Sequence, residues 1–173
     1  MDSADGLLVR LTDEDRRAAE DTAAERVRRV LNRGLKPGHG EPQREVAALI
    51  AHHTVGALGE LAVARALGLA GWRPNDDEFG AGDVAGYEVR ATTNPGGHLI
   101  VYGTEDPDKL CVLVLVGADR LTCRVCGALF AREAICYPAP RHQLRPGSQE
   151  QYWVPQHALR PFVSGDPRGT PSR

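Results

Sequence analysis

At 173 residues, with 42% hydrophobic and 25% charged side chains, the chain can bury enough apolar surface to fold unaided, and it reads as a globular protein rather than a disordered or membrane-bound one. A formal net charge of −2 supplies no overall attraction for a polyanion, so a nucleic-acid partner would have to be met by a local patch. The cations are 19 arginines and two lysines, Lys36 and Lys109, which together with abundant Ala, Gly and Pro is the mark of a GC-rich genome.

The first residues, Met1 to Gly6, have neither the basic nor the apolar region of a signal peptide, and the longest strongly apolar run, residues 110–116, is too short to span a bilayer. The expectation is a cytoplasmic protein that contacts no membrane. Cys111, Cys123, Cys126 and Cys136 are then expected to be reduced. Cys123-x-x-Cys126 has the spacing of half a zinc site, but a second close pair is missing, so zinc is not expected and the cysteines read as small apolar strand residues.

In chain order, Thr12 and Asp15 form a capping signal for a helix over about 13–33, with Ala19, Ala23, Val27, Val30 and Leu31 at helical spacing. Arg26, Arg29 and Arg33 share one face of it, either as a solvated stripe or against phosphates. Turn chemistry around Lys36 precedes a second helix over 43–69, in which Gly56 and Gly59 predict a break or a close backbone contact. A polar loop over 72–82 with Asp76, Asp77 and Glu78 follows, then a meander of strands: a tight hairpin over 83–92, then 98–103, 110–117 and 121–130. Residues 110–116 are apolar on both parities and should be the central strand, buried on both faces. A short helix over 131–135, a late strand at Tyr152-Trp153-Val154 and a loose tail over 164–173 complete the chain. Helices first and strands after predict a mixed α+β domain over 1–163, a central mixed sheet flanked by helices.

The stretch 82–93, Gly-Asp-Val-Ala-Gly-Tyr-Glu-Val-Arg-Ala-Thr-Thr, holds the chemistry. Ala85-Gly86 turns the chain so that Asp83 meets the strand carrying Glu88, and alternation puts Glu88 and Arg90 on one face and Tyr87, Val89 and Ala91 on the other. Adjacent carboxylates raise each other's pKa, and hard oxygen donors in that number suit Mg²⁺.

This Asp-x4-Glu-x-Arg pattern, after a helix carrying Gly59-Glu60, resembles the PD-(D/E)XK nuclease superfamily over roughly residues 55–117, and is similar to small nuclease-like proteins of bacteriophages. The resemblance implies a restriction-endonuclease-like core over about 43–130 with an N-terminal helical extension. It implies a Mg²⁺-dependent DNA nuclease of a bacterial or phage-infected cell, with Mn²⁺ as a substitute ion. Asp83 and Glu88 would be metal ligands, the Val89 carbonyl the main-chain ligand, Glu60 the helix acid and Arg90 the residue in the lysine position. Guanidinium does not deprotonate, so Arg90 could steady phosphate charge but not take a proton. The expected partners are DNA and a second copy of the chain. The rival expectation is a silent nuclease-fold protein that binds nucleic acid or protein without cleaving.

Overall fold

The computed structural model describes residues 6–32, 42–74, 83–138, 141–142 and 149–163. Arg33, the turn around Lys36, the acids Asp76, Asp77 and Glu78 and the tail 164–173 lie outside them.

Helix α1 (Asp13–Asn32) starts where the capping signal puts it. The Thr12 hydroxyl accepts the Asp15 N–H at 3.1 Å, and the Thr12 N–H donates to Asp15 Oδ2 at 3.0 Å. Asp15 also pairs with Arg65 of helix α2 (Pro42–Ala66), which ties the two helices together at a buried point. The break expected near Gly56 and Gly59 is absent, since α2 runs through both. Gly56 faces open space, whereas a Cβ on Gly59 would stand 2.5 Å from the Ala91 Cβ, so only Gly59 is the close backbone contact. By length and composition the Glu45–Ala66 part of α2 also passes for a membrane span, a test that the core helices of soluble proteins meet too.

A strand not anticipated from sequence, β1 (Leu7–Arg10), precedes α1. The expected meander is corrected by the pairing. Strand β2 (Tyr87–Thr92) runs parallel to β4 (Leu110–Val116), β4 is antiparallel to β5 (Thr122–Phe130), and β5 is antiparallel to β1, giving a mixed sheet of order β1-β5-β4-β2. Parallel neighbours cannot be joined by a hairpin and need a crossover. Residues 93–109 provide it, and the strand inside them, β3 (Leu99–Tyr102), belongs to a second sheet of order β3-β7-β6 with β6 (Arg141–His142) and β7 (Gln151–Val154). Helix α3 (Ala131–Cys136) follows β5 directly.

Strand β4 is apolar on both parities because both of its faces are covered, as expected. Val112, Val114 and Val116 share a core with Leu58, Leu61 and Val63 of α2, while Cys111 and Leu113 share another with Leu99, Val101, Val154, Ala131 and Ala134. The protein is therefore a mixed α+β fold. One face of the mixed sheet carries α2 and α1, and the other carries α3 and the small sheet.

The cysteines follow this layering. The register slips between Leu113 and Val114, leaving Cys126 as the extra residue of a bulge in β5. Cys123 then packs under α2 and Cys126 against the opposite core, so the two thiols of the C-x-x-C stand on different faces of the sheet. Burial pushes the Cys111 and Cys123 thiols up to about 12, and all four cysteines are unbridged.

Candidate functional site

The turn at 84–87 sets the site. Ala85 (φ 49°) and Gly86 (φ 87°) both lie in the left-handed region, the signature of a type I′ turn, and Val84 bridges to Tyr87 across it. The expected hairpin is thus one bridge long rather than a pair of strands. Asp83 is held twice: its N–H donates to the Tyr87 carbonyl at 2.7 Å, and its Oδ2 accepts the Val89 N–H at 2.7 Å. Since β2 is an edge strand, the Val89 N–H points away from β4. A residue's N–H and C=O leave an extended strand on the same side, so the Val89 carbonyl faces the same edge as Asp83, which no described strand covers.

Alternation along β2 divides the rest. Tyr87, Val89 and Ala91 pack toward α2, with Gly59 against Ala91 and Val89. Glu88 and Arg90 therefore leave the opposite face, above which the 93–109 crossover passes. Arg90 donates from Nη1 to Glu88 Oε1 at 2.6 Å and from Nε to the Ile100 carbonyl at 3.2 Å, pairs through Nη2 with Glu105, and lies 5.5 Å from the Tyr102 ring centroid. The second Glu88 oxygen, Oε2, accepts from Lys109 Nζ at 2.9 Å. Burial pushes the Glu88 carboxyl up, but the bonds from Lys109 and Arg90 outweigh it and hold Glu88 below the usual range.

Glu60 reaches the same edge from the α2 side. It is only 6% exposed, and Arg26 of α1 grips it from both nitrogens, Nη1 to Oε1 and Nη2 to Oε2, each at 2.9 Å. That fork fits a carboxylate geometrically. Burial nevertheless raises the Glu60 pKa, and the charges of Asp83 and Glu88 add to the rise against the opposing pull of Arg26. Asp83 is raised as well, first by burial and then by Glu88, against the hydrogen bond from Val89.

Asp83, Glu88, Val89 and Arg90 thus come together where the sequence suggested, and Glu60 stands within electrostatic reach of both other acids. The three acids do not close into one ligand set: among the described residues, no group of three His, Cys, Asp or Glu side chains is placed to hold a metal ion. The reason is parity, since Glu60 sits with α2 on one side of the β2 edge while Glu88 leaves the other side. Four carboxylates, Glu60, Asp83, Glu88 and Glu105, stand among three cations, Arg26, Arg90 and Lys109, and Asp83 alone has no ion pair to a described residue.

Sequence reasoning missed Glu105 and Lys109, and left Arg26 open between solvent and phosphate. Glu105 and Lys109 lie in a crossover that is invisible until the β2–β4 pairing is known to be parallel. For Lys109 a signal existed in its being one of two lysines among 21 cationic residues, immediately before the central strand. Comparison with family models, with curated proteins and with solved structures gives no match to this chain.

Proposed function

We propose that the chain is a Mg²⁺-dependent DNA phosphodiester hydrolase with the restriction-endonuclease-like core of the PD-(D/E)XK superfamily. The observation that carries this reading is Asp83: a partly buried carboxylate with a raised pKa, one oxygen on a backbone N–H and no ion pair among the described residues, set against Glu88 at a strand edge that also presents the Val89 carbonyl. A surplus of hard oxygen donors over cations fits a divalent ion, with Asp83, Glu88 and Val89 holding it and Glu60 in support. Mn²⁺ would serve in the same place. A bound Mg²⁺ would supply activation of the hydrolytic water and neutralisation of charge growing on the phosphate.

The chain's own residues prepare that chemistry. The I′ turn and the Val89 N–H fix Asp83 before any ion arrives, so little ordering is left to the reaction. Arg90 is a permanent positive charge beside Glu88 and cannot act as a base. The resemblance supplies DNA as the substrate and the interior of a bacterial or phage-infected cell as the setting.

The silent binding protein is the second reading, and a specific observation favours it: both oxygens of Glu60 and both of Glu88 already meet cations. Incubating supercoiled plasmid with Mg²⁺ or Mn²⁺ decides between them. Nicking that Asp83→Asn and Glu88→Gln abolish supports the hydrolase, and wild-type protein that leaves the plasmid intact under both ions leaves the silent reading.

A further inference from the structure

Resting on the hydrolase reading, we propose that Lys109, rather than Arg90, is the cation that meets the substrate phosphate, and that Arg90 is a positioning residue. The two cations share Glu88 but differ in their other hydrogen bonds. Arg90 is pinned around its guanidinium plane by Glu88, Glu105 and the Ile100 carbonyl, and the Tyr102 ring lies beside it. Among the described residues the Lys109 side chain makes a single hydrogen bond, from Nζ to Glu88 Oε2. An ammonium has three donors, so two stay available to a phosphate oxygen.

An ion taking up Glu88 withdraws that carboxylate from both cations. Arg90 loses one of its anchors and stays where Glu105 and Ile100 keep it, with an acid still on it. Lys109 would lose its one side-chain bond among the described residues and become a compact charge on a flexible stem, four carbons long, at the mouth of β4. An anion approaching Arg90 meets a guanidinium still bonded to Glu105, whereas Lys109 feels Glu105 and Asp83 only through space, with no bond to either. The acid site and the phosphate contact are thereby coupled: filling the first arms the second. Composition agrees, because in a chain that carries 19 of its 21 cationic residues as arginine, one of the three cations beside the acids is a lysine.

The test is the salt dependence of binding to a fluorescein-labelled DNA duplex, by anisotropy, with Ca²⁺ as the oxygen-seeking probe ion and with EDTA. Wild-type protein should bind more tightly with Ca²⁺ than with EDTA, and Asp83→Asn should lose that difference. Lys109→Gln should also lose it, and should lower the slope of log K against log salt in Ca²⁺ by about one, the share of one phosphate contact. Lys109→Arg, which keeps the charge, should restore the slope, a rescue that a merely structural lysine would not show. Arg90→Gln should keep the slope while melting at a lower temperature. If Lys109→Gln keeps the wild-type slope and Arg90→Gln lowers it, Arg90 is the phosphate contact and the assignment is overturned. If wild-type protein gains no affinity from Ca²⁺, or Asp83→Asn gains as much, the hydrolase reading itself fails and takes the assignment with it.

Discussion

Gly56 and Gly59 sit one turn apart on α2, and alanine should act oppositely at the two. In a helix interior alanine is worth about 1 kcal/mol over glycine. At Gly56 nothing lies within 4 Å of the added Cβ, so Gly56→Ala should stabilise by roughly that amount. At Gly59 the new methyl would stand 2.5 Å from the Ala91 Cβ and 3.4 Å from Val89 Cγ1. Carbon contacts relax near 3.5–4.0 Å, so α2 and β2 would have to separate by about 1 Å. Overpacking of that kind costs about 1–3 kcal/mol, which cancels or exceeds the helical gain. The two variants should therefore differ by about 1–3 kcal/mol in urea unfolding followed by circular dichroism, with Gly59→Ala the less stable. Because Glu60 adjoins Gly59, the same shift would draw this acid away from Asp83 and weaken ion binding. Equal stability of the two variants would refute the close α2–β2 approach on which the position of Glu60 rests.

The buried pair Arg26–Glu60 should behave as a couple: Arg26→Met leaves a buried carboxylate without its cation and should cost about 3 kcal/mol, most of it recovered in Arg26→Met/Glu60→Leu, as a double-mutant cycle in urea would read. The folded-state pKa of Asp83 is raised, so its ionisation weakens the fold as pH rises above the usual 3.8; Asp83→Asn should be more stable than wild type near neutral pH, with the gap closing in acid. Glu88 has the opposite sign, its lowered pKa giving stability that is present above the usual 4.5 and lost as pH falls, so Glu88→Gln should flatten the acid limb of the stability curve. Ala85→Asn should stabilise by about 0.5–1 kcal/mol, because asparagine tolerates the left-handed φ that alanine resists and Asn-Gly is the preferred I′ pair.

What the sequence made legible was local. The Thr12 cap, the unbroken apolar run of β4 and the alternation of β2 each depend on neighbours along the chain, and each led to the element found. Two features were not legible because they depend on pairing. Strand β1 is four residues long and gains its identity from β5, while the parallel β2–β4 register turns residues 93–109 from meander into crossover. The site inherited both outcomes. Asp83, Glu88 and Arg90 lie within one turn and one strand, so spacing sufficed to bring them together. Glu60 was assigned by order along the chain, and order does not say on which side of an edge strand a helix acid arrives. Charge balance was the least visible of all, since Arg26, Glu105 and Lys109 reach the acids only through tertiary contacts.

Asp83, the carboxylate without an ion pair among the described residues, is the group a divalent ion should complete, and calorimetric titration of the metal-free protein with Mn²⁺ reads this at once. One ion per chain is expected for wild type, with weaker binding in Glu88→Gln and none in Asp83→Asn, while the latter stays folded. Absence of binding by wild-type protein, or binding that Asp83→Asn leaves intact, would contradict it.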